Sequence, residues 1–386
     1  FKEFQDAAMQ TRLGIPLLIG VDAVHGQNTF EGAVIFPHNI GMAATRNMDL
    51  IKRAAQITAI ETAGTGFNWT FSPCIAMPQH EHWGRVYEGF SEDRDLTIAA
   101  TRASVRGHQG DDLAARHTVA ATAKHYLGDG ATEGGVEGGN AVISDETMRD
   151  VHLPTYAAAV DEGVAAIMVG FNSYNGVNMH QNRYLVTDVL KGELGFGGVV
   201  LTDWDGGQRF GPAHTVINAG VDVAMQPGNH EEFMADLKSS VQDGTVPMSR
   251  IDDAVRRILR LKFRLGLFEQ PYTDQEQHPA PLSREPNPAL RAQGVGPRQD
   301  LGQHAIVQVS VPRSWCTSSQ SGNHSTVSKT SAWPGSARHR RLQRCTPRPA
   351  RPLPGRAQSS TPRTRDRRMP GPSRGRSSHA LKPTKL

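Results

Sequence analysis

The sequence predicts an α/β fold of the TIM type, an eight-stranded (β/α)8 barrel. The first observation behind this prediction is that short apolar segments alternate with longer amphipathic segments over residues 15–270. Continuously apolar strands separated by helices are typical of parallel βαβ units, in which helices cover both faces of the sheet. The second observation is that polar or charged residues follow the apolar part of each strand, as at the mouth of a barrel that carries an active site.

Six strands are predicted from the apolar segments, at 15–24, 67–75, 119–126, 164–171, 198–204 and 221–226. Helices are predicted between them at 49–65, 93–109, 145–162 and 187–194. A closed barrel of this type needs eight strands. We therefore expect the barrel to be incomplete at its N-terminus, with a strand and helix missing upstream of Phe1 and another strand too short to recognise.

The last amphipathic segment, 249–268, predicts a long helix with Ser249 as its N-cap and Asp252 in its first turn. An open, doubly wound sheet is the alternative to the barrel. The polar residues at the end of every strand disfavour it, because they suit a mouth ringed by loops. No GxGxxG or GxxxxGK[ST] motif follows a strand, which also disfavours a nucleotide-binding version of the open sheet.

The positive charge of the chain is confined to its C-terminal part. Residues 311–386 contain 14 Arg and 3 Lys against one acid, whereas residues 1–310 contain 25 basic and 37 acidic side chains. We therefore expect no nucleic-acid partner for the body of the protein. The tail is rich in Arg, Pro and Ser and poor in apolar residues, which predicts disorder. We interpret it as a frameshifted translation of GC-rich DNA.

Several classes of site are disfavoured by the sequence. No apolar run is long enough for a transmembrane helix, and the three cysteines are too few for a disulfide framework. The cluster His80, Glu81 and His82 is not accompanied by an HExxH or CxxC motif, so we expect no metal and no other cofactor. None of the predicted strands is followed by a GxSxG elbow, the motif typical of serine hydrolases.

Two carboxylates follow predicted strands directly. Asp203 ends the run Gly-Val-Val-Leu-Thr-Asp, and Asp22 ends the strand 15–24 in the same way. At these positions both carboxylates are expected to point into the mouth of the barrel, where active sites lie. Trp204, next to Asp203, offers a flat apolar face suited to stacking against a sugar ring. A helix cap is the structural alternative for Asp203.

Basic residues are predicted to line the same mouth. Lys124 and His125 end the strand 119–126, and Arg85 lies in the long loop after the strand 67–75. A lysine in an apolar strand is costly unless it meets an acid or a polar ligand. Together with the carboxylates, these side chains suit a ligand with many hydroxyl groups. For each residue taken alone, a structural salt bridge explains its position equally well.

Seven ordered motifs resemble glycoside hydrolase family 3, and its β-glucosidase and exo-β-glucan glucohydrolase branch in particular. The motifs are Gly-Val-Asp-Ala-Val-His-Gly (20–26), Phe-Pro-His-Asn-Ile-Gly (36–41), Phe-Ser-Pro-Cys-Ile-Ala (71–76), Trp-Gly-Arg-Val-Tyr-Glu (83–88), Ala-Lys-His-Tyr-Leu-Gly-Asp-Gly (123–130), Asn-Gly-Val-Asn-Met-His (175–180) and Leu-Thr-Asp-Trp (201–204). The resemblance predicts a family 3 N-terminal barrel domain at 1–274, a linker at 275–310 and the tail at 311–386.

The resemblance implies retaining hydrolysis of terminal, non-reducing β-D-glucosyl residues in β-glucosides or β-glucans. Asp203 corresponds to the catalytic nucleophile, which forms a covalent glycosyl-enzyme. The substrate-binding positions implied by the family are Asp22, Arg85, Lys124, His125, Phe171 and Trp204. The sister branch that removes N-acetylglucosamine has a Lys-His-Phe-Pro-Gly-His-Gly loop, and it is disfavoured because Leu127 and Asp129 stand at the positions of Pro and the second His.

The resemblance ends where the family continues into a second domain. In the glucosidase branch that domain supplies the acid/base Glu, and here only the Arg/Pro/Ser-rich tail follows. We therefore expect weak activity, because general acid catalysis is typically worth about 10²–10⁴-fold. The alternative is a non-catalytic, sugar-binding barrel with a basic interaction tail. Relatives are commonly periplasmic or secreted, and the sequence carries no indication of oligomeric state.

Overall fold

The computed structural model describes residues 1–272 of the chain. Its helices are α1 (Lys2–Met9), α2 (Asn39–Ala44), α3 (Met48–Gly64), α4 (Arg94–Gln109), α5 (Asp145–Thr147), α6 (Leu153–Asp161), α7 (Ala213–Ala219), α8 (His230–Gln242) and α9 (Met248–Arg264). Its strands are β1 (Gly20–Val21), β2 (Trp69–Thr70), β3 (Thr122–Tyr126), β4 (Asn140–Ala141), β5 (Ala166–Val169), β6 (Ser173–Tyr174), β7 (Val177–Asn178) and β8 (Val199–Leu201). Two π-helical segments, Met148–His152 and Tyr184–Glu193, complete the longer helical regions.

The six predicted strands lie side by side in chain order, and all neighbours are parallel. β1 pairs with β2, β3 with β5, and β5 with β8. Single parallel bridges join Trp69 to Ala120 and Leu201 to Val223, so the series runs from β1 to the segment around Val223. The predicted parallel α/β organisation is therefore confirmed.

A closed eight-stranded barrel is not found within residues 1–272. No pairing joins the segment around Val223 back to β1 in this part of the chain. Closure depends on the number of strands and on their stagger, and neither can be deduced from apolar runs. Those runs predict that a strand is buried on both faces, which is equally true of an open arc and of a barrel.

The long helix α9 packs its apolar side against the parallel strands. Ile258, Leu261 and Leu265 are buried in one cluster with residues of β5 and β8. The helix begins at Met248 with Pro247 in the cap position, and its start has no side-chain cap. The predicted N-cap at Ser249 was therefore wrong. The fixed φ of proline already suits the start of a helix, so Ser249 falls inside the first turn.

A small second sheet lies after the C-terminal end of β3. β4 pairs with β6 in parallel, and β6 pairs with β7 as an antiparallel hairpin. Asn175 and Gly176 connect the hairpin with positive φ angles of 48° and 86°. Asn-Gly is the favoured sequence for such a two-residue turn. The turn directs the chain into the 3₁₀ segment Met179–Gln181, which reaches the site described below.

Two sequence predictions fall on residues that the structure does not describe. The linker predicted at 275–310 and the disordered tail predicted at 311–386 both lie outside residues 1–272. Within residues 1–272, none of the helices has the length and apolar character needed to cross a membrane.

Candidate active site

His125 lies at the centre of the predicted site residues that contact one another. Its Nε2 atom is 3.6 Å from Oδ2 of Asp203 and 3.1 Å from Nη2 of Arg85. Its Nδ1 atom is 3.0 Å from Oδ2 of Asp129, and both of these side chains are buried. The structure therefore brings together Asp203 after β8, His125 in β3 and Arg85 from the loop between β2 and α4.

The contact with Asp129 decides the protonation of His125. Burial and the positive charge of Arg85 oppose protonation, but Asp129 and the Cys74 thiol outweigh them and raise the pKa of His125 to about 9. In either charge state Nδ1 carries the proton that faces Asp129. Nε2 either accepts from Arg85 or, when protonated, faces the carboxylate of Asp203. The 3.1 Å contact with Nη2 of Arg85 is a hydrogen bond only for the neutral ring, but the raised pKa favours the charged ring, which the carboxylates of Asp129 and Asp203 flank.

Arg85 is fixed by two glutamates. Its Nε and Nη2 atoms donate to the two oxygens of Glu88 at 2.7 and 2.9 Å, and Nη1 donates to Glu137 at 3.2 Å. Burial would raise the pKa of Glu88, but the ion pair with Arg85 lowers it to about 2. These contacts use three of the five guanidinium N–H groups. Arg85 is thus held rigidly while it keeps donors for a ligand.

Lys124 and Asp22 form a second pair on the β1 side of β3. Nζ of Lys124 donates to Oδ1 of Asp22 at 2.7 Å. The lysine side chain is only 5% exposed, whereas that of Asp22 is 54% exposed. Burial opposes the charge on Lys124, but Asp22 and Glu88 outweigh it and raise its pKa. The pair therefore presents an open carboxylate over a buried ammonium group.

The aromatic residues of the site differ in their surroundings. The ring of Phe171 lies 5.7 Å from that of His180 and 6.1 Å from that of Phe210, and the guanidinium of Arg209 covers it at 4.6 Å. Trp204 is 43% exposed. Its backbone N–H donates to Oδ1 of Asp203 at 2.6 Å, so the residue adjoins the carboxylate and its side chain is open to solvent.

Four further residues contact the site, and the sequence analysis assigned no role to any of them. They are Glu88, Asp129, Glu137 and His180. Asp129 stands in a Gly-Asp-Gly sequence just after β3, where a polar residue between glycines is a usable signal. His180 ends the family motif 175–180, but the sequence indicated no role for it, because it lies in a short 3₁₀ segment and meets Asp203 only through the fold.

The metal-type cluster seen in the sequence lies on one turn. Donor atoms of His80, Glu81 and His82 lie within 4.8 Å of one another, and Glu81 and His82 are exposed. Nδ1 of His80 already accepts the backbone N–H of His82 at 3.2 Å. This arrangement supports no assignment of a metal, and the absence of a cofactor stays a prediction.

A cavity of about 410 Å³ lies elsewhere in the molecule. It is lined by Ile19 and Asn68, which precede β1 and β2, together with residues such as Phe67, Leu267 and Tyr272. It therefore opens at the opposite end of the strands from Asp203. None of the predicted site residues lines it, and it is not part of the candidate site.

The site suits nucleophilic attack on a sugar held by polar groups. The carboxylate of Asp203 is 14% exposed, so it is reachable but poorly hydrated. A retaining glycosidase needs a second carboxyl group about 5–5.5 Å away. Among residues 1–272, the carboxylates that contact this cluster are engaged by cations, Asp129 by His125 and Glu88 by Arg85.

Comparison with known proteins identifies the family of the chain. The model of the glycosyl hydrolase family 3 N terminal domain matches residues 1–261. The chain is 39% identical over 275 residues to a lysosomal beta glucosidase of Dictyostelium discoideum, covering 67% of this chain and 33% of that protein. It is 33% identical over 296 residues to a periplasmic beta-glucosidase of Salmonella typhimurium, covering 74% and 37%.

Solved structures of this family resemble the fold closely. An exo-1,3/1,4-beta-glucanase from a Pseudoalteromonas species gives a TM-score of 0.68 at 42% identity, over 73% of this chain and 37% of that one. A beta-glucosidase from Listeria innocua in complex with glucose gives 0.65 at 33% identity, over 70% and 38%. The chain spans about a third of the length of the curated relatives it matches. It belongs to glycosyl hydrolase family 3, with its N-terminal domain matched over residues 1–261.

Proposed function

We propose that this chain is a glycoside hydrolase of the β-glucosidase type that acts on terminal, non-reducing β-D-glucosyl residues. The observation that carries the proposal is the Asp203 carboxylate. It lies after β8, receives the N–H of Trp204 and faces the cationic His125. The relatives named above as beta-glucosidases and as an exo-beta-glucanase support β-glucosides or β-glucans as the substrate class.

In the proposed reaction Asp203 acts as the nucleophile. Its carboxylate attacks the anomeric carbon, the bond to the leaving-group oxygen breaks, and that oxygen takes up a proton. The glycosyl ester on Asp203 is then hydrolysed by water, which releases glucose and restores the carboxylate. The N–H of Trp204 holds the carboxylate of Asp203 in position for attack, and the imidazole of His125 lies beside it.

The polar cluster is proposed to hold the hydroxyl groups of the sugar. Asp22 offers acceptors, Lys124 and Arg85 offer N–H donors, and His125 offers one N–H beside Asp203. Sugar hydroxyls both donate and accept, so this mixture matches them better than a ligand with a single charge. Phe171 and Trp204 supply apolar faces for the ring of the sugar.

The general acid is proposed to come from outside residues 1–272. The carboxylates that contact the cluster in the described part of the chain are already paired with cations. Without a general acid, substrates with good leaving groups should react best, because such groups need little protonation.

We also propose that residues 1–274 form the barrel-type domain and 275–310 the linker. We further propose that the protein acts in the periplasm or outside the cell.

The proposal is tested on the full chain with dinitrophenyl 2-fluoroglucoside, whose activated leaving group needs no acid. We expect mass spectrometry to place one glycosyl adduct on Asp203, and Asp203→Asn to abolish labelling. Asp205→Asn is the matched control, because the Asp205 carboxylate accepts from Gln226 and not from the cluster. An adduct on another carboxylate would refute the assignment of the nucleophile.

The second candidate function is sugar binding without catalysis. It is favoured by the pairing of Asp129 with His125 and of Glu88 with Arg85, which engages the carboxyl groups that could otherwise act as a general acid here. A chain that binds glucose in calorimetry but is never labelled would support this candidate and contradict the first.

A further inference from the structure

His180 lies directly beneath the loop that carries Asp203. It belongs to the 3₁₀ segment Met179–Gln181, which follows the hairpin of β6 and β7. Its side chain is fully buried. The imidazole packs beside two aromatic rings that also contact each other, 5.7 Å from that of Phe171 and 4.9 Å from that of Phe210, at small interplanar angles of 25° and 30°. The ring is therefore held in one orientation.

The edge of this ring meets the backbone of Asp203. The N–H of Asp203 donates to Nε2 of His180 at 3.2 Å. Nε2 must therefore be unprotonated, and the proton of the neutral ring is on Nδ1. Burial and the positive charges of Arg209 and His125 lower the pKa of His180 to about 3. His180 is thus a permanent acceptor and not an acid or a base.

The loop fits against the ring without spare room. Gly206 donates its N–H to the carbonyl of Asp203 at 3.0 Å, which closes a turn over the imidazole. An added Cβ at Gly206 would overlap Nε2 of His180. The backbone of Asp203 is therefore fixed by a hydrogen bond from below, while its carboxylate is held by the N–H of Trp204 from within the loop.

We propose that His180 is a positioning residue that sets the backbone, and through it the carboxylate, of Asp203. The inference rests on the function proposed above, in which Asp203 attacks the anomeric carbon. His180 does not touch the sugar in this scheme. Loss of its acceptor atom should slow the formation of the glycosyl-enzyme without changing the affinity for the sugar, because His180 does not contact the residues that hold the hydroxyls. Any change at Phe171, which the imidazole does contact, is common to the two replacements compared below.

The test compares His180→Gln with His180→Met in the full chain. The two new side chains have nearly the same size and both lose the aromatic stacking, but only Gln places an oxygen where Nε2 stood. Three quantities are measured: amide hydrogen exchange at Asp203 by fragmentation mass spectrometry, the labelling rate with dinitrophenyl 2-fluoroglucoside, and the Kd for glucose.

We expect His180→Gln to keep the protection of the Asp203 amide and its labelling rate within a small factor. His180→Met should expose that amide to exchange and slow labelling about 10- to 100-fold, with an unchanged Kd for glucose. Equal exchange and equal labelling rates in the two variants would overturn the proposal. So would a loss in the Met variant that appears only in the Kd.

A second variant keeps the test decisive if either replacement disturbs folding. Gly206→Ala leaves His180 in place but pushes a methyl group toward Nε2, at a backbone conformation that alanine can adopt. It should raise exchange at Asp203 as His180→Met does, and parental exchange would overturn the proposal. If the parent chain itself is not labelled, the proposed function fails, whereas the exchange measurements still decide whether His180 holds Asp203.

Discussion

Two buried histidines stand on opposite sides of Asp203, and one is cationic whereas the other is neutral. His125 contacts Asp129 and its pKa is raised to about 9, whereas His180 packs beside the rings of Phe171 and Phe210 and its pKa is lowered to about 3. Both side chains are almost fully buried. Burial alone therefore does not set the charge of a histidine, since a carboxylate at 3.0 Å reverses the effect of desolvation.

The two sides of the site accordingly hold Asp203 in different ways. On the β3 side, ion pairs fix Arg85 and His125, and His125 faces its carboxylate. On the β8 side, stacked rings fix a neutral acceptor that binds its backbone. We therefore expect the β3 side, with Arg85 and His125, to lose stability when a charge is removed. The β8 side, with His180, should lose stability when its histidine is protonated.

The largest expected effect concerns protonation of the apolar histidines. Burial lowers the pKa of His108 and His152 to about 4, and that of His180 to about 3, whereas unfolded histidine titrates near 6.5. The unfolded chain therefore binds more protons below that pH. Their contribution to stability is complete above 6.5 and is lost as the pH falls through 4, which should cost several kcal/mol in total.

His125 should give the opposite dependence. Its pKa is raised to about 9, so its contribution is complete below 6.5 and is lost as the pH rises through 9. Urea unfolding at a series of pH values measures both limbs. A free energy of unfolding that stays flat between about pH 6.5 and 4 would contradict the protonation argument for the apolar histidines.

The next prediction concerns the contact between His125 and Asp129 on the β3 side. Asp129→Asn removes the partner of a buried imidazolium, which should lower the pKa of His125 and reduce the free energy of unfolding by about 3 kcal/mol. The control is Asp161→Asn. Asp161 pairs with Arg102, but its side chain is 64% exposed, so the loss of this pair should lower the free energy of unfolding by less than about 1 kcal/mol. Equal losses in chemical denaturation would show that burial does not distinguish the two pairs.

The smallest expected effect is a difference between Glu88 and Glu137, the two glutamates that bind Arg85. Glu88 makes two short contacts and is 13% exposed, whereas Glu137 makes one longer contact and is 44% exposed. Glu88→Gln should weaken glucose binding about 10-fold, and Glu137→Gln about 2-fold, because a bidentate, buried pair constrains the guanidinium more. Calorimetry measures both. The reverse order would mean that Glu137 positions Arg85.

The sequence predicted what depends on local pattern. Apolar runs located the parallel strands, and the cost of burying Lys124 correctly predicted a partner for it, which is Asp22. The start of α9 was wrong by a residue or two, because Pro247 starts the helix as well as a capping serine would. Barrel closure was not predictable, since it depends on strand number and stagger.

The contacts of the site that cross the fold were beyond the sequence. His180 meets Asp203 across 23 residues, through a hydrogen bond to a backbone N–H that no side-chain pattern encodes. Asp129 meets His125 only because the chain turns back just after β3. Residues whose role is to hold another residue carry a weaker sequence signal than those at the strand ends.

The ion pairs of the candidate site also determine the sign of its net charge. Three paired cations, Arg85, Lys124 and His125, and the Arg209 guanidinium over Phe171 stand against five carboxylates, those of Asp22, Glu88, Asp129, Glu137 and Asp203. With four cations and five carboxylates, the formal charge of the site is −1. An uncharged sugar can exchange hydrogen bonds there with little dependence on ionic strength. A uronic acid or a sugar phosphate would be repelled by this charge, and the repulsion would increase as the ionic strength falls. The site should therefore bind neutral sugars more tightly than anionic sugars with the same hydroxyl groups.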